Sequence, residues 1–479
     1  MPPARKNVGS VHSRTLLHRL PLFLAATWTL GVMVPVAVIG QRATEQTAHA
    51  TPAVQQQKEP TPEEVKALQQ KAAQGSAEAQ YELGRLCFVG HGGVPQDDAQ
   101  AFAWFRRAAE QGFAEAQSKL GFLYFNGRGV PLDAAQAVGW FRKAAEQGLA
   151  EAQHNLGVAY GEGRGVPQDA TQAAAWYRKA AEQGFAMAQA NLGSLYFTGR
   201  GVPQDDAQAA SWFRKAAEQG FAGGQHNLGV MYENGRGVPQ DAAQAAAWYR
   251  KAADQGYALA QANLGFLYST GRGVPQDDAQ AAAWWRKAAE QGNAEAQRNL
   301  GIVCLSGRGV PQDDVQAASW FRKAAEQGHP LAQGILGALY ANGRGVPQDL
   351  AEAVAWYRKA AEQGDATAQA NLGLMYANGR GVPQDLAEAV AWYRKAAEQG
   401  LAEAQSIVGD AYYSGRGVAQ DFVEALKWAA LAAARSSGEV QTLRGKWRDE
   451  LAQKMTPAQI AEAEERAREW MEAFAKRKR

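Results

Sequence analysis

The chain has 479 residues, with 50 Lys and Arg against 48 Asp and Glu and two cysteines, Cys87 and Cys304. That length exceeds one ordinary core and calls for several domains or a repeat array. The near balance of charge excludes the electrostatic footprint of a nucleic-acid binder, and two cysteines this far apart supply no disulfide framework.

Residues 1–19 carry Arg5, Lys6, Arg14 and Arg19 and no acid, and residues 20–40, LPLFLAATWTLGVMVPVAVIG, carry no charge. Ala48-His49-Ala50 follows with the small-x-small spacing of a cleavage site. A basic start, an apolar run and small residues make an export signal. About 20 apolar residues also suffice to span a bilayer. The sequence leaves a cleaved signal peptide and a retained signal anchor both open over residues 1–50. Either one places residues 51–479 outside the cytoplasm, in the periplasm or beyond. Without residues 1–50, 45 basic residues face 47 acidic ones. Residues 51–61, TPAVQQQKEPT, read as a polar linker.

From residue 76 the chain repeats. Trp recurs every 36 residues at 104, 140, 176, 212, 248, 284, 320, 356, 392 and 428, and Leu-Gly recurs with it, as at Leu120-Gly121 and Leu156-Gly157. Ten units result, spanning 76–436, and are numbered here 1 to 10. Unit 1 (76–112) has one extra loop residue; units 2 to 9 (113–400) keep a strict period; unit 10 is 401–436. The stretch GRGVPQD returns with the same period from Gly163 to Gly379.

Unit 3, residues 149–184, shows the logic. Ala152, Leu156, Ala159 and Tyr160 fall at helical spacing, and so do Ala173, Trp176, Tyr177 and Ala180. Asp169 is placed to cap the second helix, with Gln172 three residues on, and Gly184 to end it. In unit 8, Pro330 fits a first helical turn. Each unit is therefore helix, loop, helix. Burying Leu156, Tyr160 and Trp176 does not offset the ordering of 36 residues, so the units must stack. Gly157 sits mid-helix, where it weakens a helix relative to Ala. Its return in every unit predicts a neighbouring helix too close for a methyl group.

Residues 62–75, PEEVKALQQKAAQG, repeat a second helix with Leu68 in place of Trp and predict an N-terminal capping helix. Residues 437–455 read as helical, and Thr456-Pro457-Ala458-Gln459 opens a further helix to about Ala475. The C-terminal cap (437–479) then ends in the basic tail Lys476-Arg477-Lys478-Arg479.

The pattern Ala-x-x-x-Leu-Gly-x-x-Tyr, Gly-x-Gly-Val-x-x-Asp, Ala-x-x-Trp-Tyr-x-Lys-Ala-Ala-x-x-Gly resembles the Sel-1-like repeat, a relative of the 34-residue tetratricopeptide repeat. The resemblance implies an all-α fold, a right-handed α/α superhelical solenoid with helical end caps. It further implies a scaffold for protein–protein interaction, often in envelope or secretory assemblies. Some cysteine-rich relatives are described as β-lactam-binding or β-lactamase-like; they carry a disulfide in most repeats, which this chain does not.

No catalytic constellation accompanies the repeats. His154 and His226 fall at the same phase two units apart, too far for a zinc site that needs three or four converging ligands. There is no Gly-x-Ser-x-Gly elbow and no Walker loop. In GRGVPQD, Asp169 occupies the helix N-terminus that a phosphate would need. The Arg ladder from Arg128 to Arg416 has acids such as Glu146 or Glu182 as candidate partners in adjacent units. No cofactor, metal or catalytic residue is expected.

Variation between units points elsewhere. Numbering each unit from its first residue, positions 4, 5, 8, 9 and 12 hardly change, whereas 3, 6, 10 and 13 change freely. Steps of three and four trace one helical face, which the sequence predicts to be exposed. In related solenoids the first helices line the concave surface. Phe122, Phe125, Phe197, Phe266 and Tyr413, with His154, His226 and Arg298, are then the candidate partner-binding residues for a protein or peptide. The expected function is a non-catalytic scaffold, exported or membrane-anchored through residues 20–40. The alternatives are a hydrolase of cell-wall or β-lactam substrates and an adaptor of polysaccharide machinery.

Overall fold

The computed structural model describes residues 60–477. The apolar run 20–40, and with it the signal or anchor reading, lies outside the described residues, as do Lys478 and Arg479. The described residues form 23 helices and no strand. No helix among them is long and apolar enough to cross a membrane. Helix Pro62–Ala73 opens with a reciprocal box: Glu64 N donates to Thr61 Oγ1 at 3.2 Å, and Thr61 N donates to Glu64 Oε2 at 2.7 Å. Ten helix pairs follow, each packed on itself and on its successor. Helices Gly438–Ala452 and Pro457–Arg477 pack on the second helix of unit 10. There Trp470 stacks on Phe474 at 4.8 Å and meets Trp428 edge-on at 6.3 Å.

Unit 3 consists of helices Ala150–Glu162 and Ala170–Glu182. Asp169 Oδ1 accepts from the amides of Thr171 and Gln172, both at 2.9 Å, which stabilises a start that would otherwise leave donors unpaired. Gly184, at φ +89°, ends the second helix.

The loop is a contact between units. A Cβ on Gly165 would lie 2.1 Å from the carbonyl oxygen of Ala134, on the second helix of the preceding unit. Gly237 meets Asp206 O at 2.0 Å in the same way, and Gly345 meets Asp314 O at 1.9 Å. The second glycine of GRG is therefore where one unit's backbone rests on the last, and this accounts for the loop's repetition. The mid-helix glycine meets a neighbouring helix, as expected, and that helix is the second of its own unit. A Cβ on Gly157 would sit 2.7 Å from the ring of Tyr177, which belongs to the second helix of the same unit.

That ring position, not the tryptophan before it, is the centre of units 1 to 9; in unit 10 it holds Ala429, and Trp428 is buried instead. Phe105, Phe141, Phe213, Tyr249 and Phe321 are at most 1 % exposed. The tryptophans are only half-buried apart from Trp284 and Trp428. A lysine three residues on covers the open ring face, as Lys179 Nζ does at 3.9 Å from the Trp176 centroid. Tyr160 is half-buried too, its hydroxyl accepting from Arg142 Nη2 of the preceding unit at 3.0 Å. Cys87 and Cys304 are buried free thiols in separate units.

A buried glutamine ladder completes the stack. Gln261 Nε2 donates to Ala253 O of the preceding unit at 3.0 Å, and Gln261 Oε1 accepts from Gln291 Nε2 at 2.8 Å. The same pair of bonds recurs from Gln117 to Gln369. In unit 10, Arg435 stands where the second glutamine would be, and Gln405 Oε1 has no partner. Gln261→Leu removes both of these bonds, while Ala253 O keeps the amide of Gly256 and Gln291 Nε2 keeps Lys287 O, so at about 0.5–1.5 kcal/mol per bond it is expected to cost about 1–3 kcal/mol in a denaturant titration. A change within 0.5 kcal/mol would show that the ladder merely fills space.

Candidate interaction surface

Position 6 faces the next unit, not solvent. His154, His226 and Arg298 are 8 %, 3 % and 7 % exposed, and Ser118 and Ala190 are 0 %. The exposure expected for these three candidates is thus corrected: they lie in seams between successive first helices. His154 Nδ1 faces Asn155 Oδ1 at 3.3 Å, and its Nε2 faces Asn191 Nδ2 of unit 4 at 3.1 Å. The ring packs on Tyr177 and on Phe185, the first residue of unit 4. His226 repeats the arrangement with Asn227 at 3.2 Å, Asn263 at 3.2 Å, Tyr249 and Tyr257. Burial holds both imidazoles at a pKa of about 4, so they are neutral near pH 7. Arg298 donates to Glu295, which also meets His329 Nε2 at 2.8 Å. Burial alone would raise the Glu295 carboxyl, but the hydrogen bond from His329 and the charge of Arg298 hold it below its ordinary value.

Position 13 is also occupied, by the arginine of the following GRG loop. Arg164 lies 3.7 Å from the centroid of Phe125 and donates to Phe125 O at 2.7 Å; Arg236 lies 3.6 Å from the centroid of Phe197. In unit 5 the position holds Glu233, 6 % exposed, which accepts from Tyr249 Oη at 2.7 Å and pairs with Arg272 at 3.4 Å. Phe125 is buried, Phe197 half-buried. Tyr413 is half-buried beneath the C-terminal cap, its ring facing Lys454 Nζ at 4.9 Å from the centroid. These three are packing residues, contrary to the expectation of open anchors.

The Arg ladder pairs with neither Glu146 nor Glu182. Arg128, Arg236, Arg308 and Arg344 each make two bonds to the first aspartate of the preceding second helix: Asp98, Asp206, Asp278 and Asp314. Where that residue is Ala134, Arg164 turns to Phe125 instead.

The most accessible first-helix face runs through positions 3, 7, 10 and 14, but it closes in unit 5, where Gly223, Asn227 and Val230 are buried, and at Asn299 of unit 7. It holds the two remaining candidates, Phe122 and Phe266, both half-buried at position 10. It also holds residues the sequence reading passed over: asparagine at position 7 in five successive units, from Asn155 to Asn299, and again at Asn371. A signal for the seams existed. Both histidines at position 6 are followed by an aromatic residue at position 1 of the next unit, Phe185 and Tyr257, and Arg298 by His329, although Ala190 is also followed by an aromatic, Phe221.

Among the described residues no group of three or more His, Cys, Asp or Glu is placed to hold a metal ion. Two shallow depressions of about 330 and 360 Å³ lie against second helices, one lined by Gln136, Gly139, Trp140 and Lys143.

The Sel1 repeat family model matches ten consecutive segments, from 77–113 to 402–437. The crystal structure of c5321, a protective antigen present in uropathogenic Escherichia coli strains displaying an SLR fold, is 41 % identical. It covers 86 % of this chain and 95 % of its own, with a TM-score of 0.57. A Sel1 repeat protein from Oxalobacter formigenes is 38 % identical over 67 % of this chain and 96 % of its own, with a TM-score of 0.50. No curated protein sequence matches the chain.

Proposed function

We propose that this chain, which belongs to the Sel1 repeat family, is a non-catalytic scaffold that holds a protein segment along the accessible face of its first helices. One observation carries the reading. The residues that vary at positions 6 and 13 are spent on seams, whereas positions 3 and 10 stay at least partly accessible in every unit from 2 to 10 except unit 5, where Gly223 and Val230 are buried. Helical solenoids offer such faces to peptide and helical ligands. The basic start and apolar run of residues 1–40 support a place outside the cytoplasm, anchored or released. The description of the 41 % identical relative as a protective antigen suits an accessible location as well.

The test is site-specific crosslinking in cells. A photoreactive residue replacing Phe122 or Phe266 is expected to capture a defined protein, and one replacing Ala175, on an exposed second-helix position, is not. Capture from position 175 alone, or nitrocefin hydrolysis by the purified chain, would overturn the reading.

A further inference from the structure

We propose that the seam between units 9 and 10 holds a site for a small organic carboxylate, on the side of the second helices and apart from the scaffold face. Six other seams close there in one way. The arginine at position 30 donates through Nη2 to the tyrosine hydroxyl at position 12 of the next unit, as Arg178 does to Tyr196 and Arg358 to Tyr376, both at 2.6 Å. Arg394 and Tyr412 are the matching pair at this seam, and they do not meet. Arg394 Nε donates to Glu398 Oε1 at 3.2 Å. Tyr412 packs with the cluster of Leu426, Leu451 and Ala463, the last two from the C-terminal cap. Among the described residues neither the Arg394 Nη atoms nor the Tyr412 hydroxyl has a hydrogen-bond partner. The cavity of about 330 Å³ has both residues in its lining.

Two further seams lack the bond, each for a reason that removes the site. At the first, Arg106 also turns to its own helix, to Glu110 at 2.8 Å, but Phe102 packs edge-on against Tyr124 at 5.4 Å. At the seam of units 6 and 7, Cys304 replaces the tyrosine. Unit 9 has Val390 where unit 1 has Phe102, so here both polar groups are present with open space beside them.

The lining sets the ligand class. Val390 and Val418, with two alanines, form an apolar floor, and Arg394, Lys395 and Tyr412 bring two cations and a hydroxyl against one acid, Glu398. A guanidinium and a phenol that both lack an acceptor suit a carboxylate, which takes two parallel bonds from the first and a third from the second. The Arg394–Glu398 pair is half-exposed on both sides and weak enough for an incoming carboxylate to displace. The floor asks for an apolar body, which inorganic phosphate lacks, and the volume, at the small end for ligand pockets, keeps that body short. A cationic ligand would be repelled by Arg394 and Lys395. Lys395 Nζ, 3.6 Å from the Trp392 centroid, covers the ring face that a sugar would need.

The test is saturation-transfer NMR titration of the purified full chain with hexanoate and with acetyl-Ala-Leu. Hexanoate stands for a free acid and acetyl-Ala-Leu for a peptide C-terminus, and the tighter of the two identifies the source. Hexanol and acetyl-Ala-Leu amide are their uncharged counterparts. At least one carboxylate is expected to saturate and to bind at least about tenfold tighter than its counterpart. Arg394→Gln should weaken it at least about tenfold, and Tyr412→Phe about two- to tenfold. Val390→Phe, which copies unit 1, should abolish it by filling the cavity. Arg322→Gln, at a seam closed by Arg322 and Tyr340, should leave it within about twofold. Equal binding of the uncharged counterparts, unchanged binding in Arg394→Gln or Val390→Phe, a like loss in Arg322→Gln, or no saturable binding of either acid overturns the inference. None of these outcomes bears on the scaffold reading.

Discussion

Gly237→Ala is expected to destabilise the protein by roughly 3–5 kcal/mol, and Gly220→Ala by only about 1–2 kcal/mol. Both glycines adopt a left-handed backbone, at φ +66° and +86°. Alanine therefore loses about 1–2 kcal/mol at either position for conformation alone. Their surroundings differ. Around Gly220 nothing lies within 4 Å of an added Cβ, whereas at Gly237 the Cβ would stand 2.0 Å from Asp206 O and 2.3 Å from its carbonyl carbon. That obstacle is backbone held inside a helix, so the loop itself must lift. Lifting it withdraws Arg236 from Asp206, which it grips at 2.9 and 2.7 Å, and from the ring of Phe197. All three contacts join unit 5 to unit 4. A solenoid's stability is a sum over units and nearest-neighbour interfaces, so the damage should stay local in origin and divisive in effect. Guanidinium titration of Gly237→Ala should resolve two transitions, for the parts on either side of the seam, and Gly220→Ala should keep the wild-type shape. Equal costs for the two substitutions would mean that the GRG loop is a turn and not a bearing surface.

How much of this was legible in the sequence depends on whether a residue acts within its own unit or across a seam. Asp169, Gly184 and Pro330 act on their own helix ends, and the sequence reading located all three. Gly157 was read correctly as a point of close approach to a neighbouring helix, and the structure adds which one, through Tyr177 of the same unit. A ring that fits over a missing methyl leaves no trace in periodicity beyond the glycine itself. The tryptophans misled because recurrence and size were equated with depth. Trp176 recurs as a platform for Lys179, while the adjacent position alternates among Phe, Tyr and Trp and goes deeper. The largest error followed from treating variation as exposure. His154 and Arg298 vary because each is matched to one neighbour, Phe185 or His329, and a matched pair changes as freely as a solvated face. Comparing position 6 with the following position 1, instead of with its own column, separates the two cases. Asparagine at position 7 hardly changes from unit 3 to unit 7 because it too belongs to the seams: Asn191 and Asn263 meet His154 and His226 of the preceding units, and Asn227 and Asn299 are buried.

The two buried histidines make the array acid-sensitive at defined seams, and His154→Ala/His226→Ala should remove that sensitivity. Each ring is clamped on both nitrogens. Nδ1 faces an asparagine oxygen and Nε2 an asparagine Nδ2, which assigns the proton to Nδ1. A second proton on Nε2 would face another N–H donor in a site only 3–8 % exposed. Glu151 is the one charged group acting on His154, and it opposes the depression only in part. The sign follows from the pKa of about 4 in the folded chain against 6.5 for the free imidazole. Between these values the unfolded chain binds the proton and the folded chain does not. The contribution to stability is therefore fully present above pH 6.5, falls as pH drops, and is lost below pH 4. A depression of this size corresponds to about 3 kcal/mol for each histidine. Alanine is the residue at the same position in units 4 and 6, as Ala190 and Ala262, so the double variant keeps a seam the fold already uses. The measurement is the stability of wild type minus that of the variant, by urea titration from pH 7.5 to 4. Groups both proteins share, such as the depressed carboxyls of Glu295 and Asp314, cancel in that difference. The difference should shift against the wild type by about 6 kcal/mol across this range. Hydrogen exchange should place the acid-induced opening in helices Ala150–Glu162 and Ala222–Asn234. A difference that stays flat with pH would show that the clamps open or hydrate without cost, and the histidines would then be spacers.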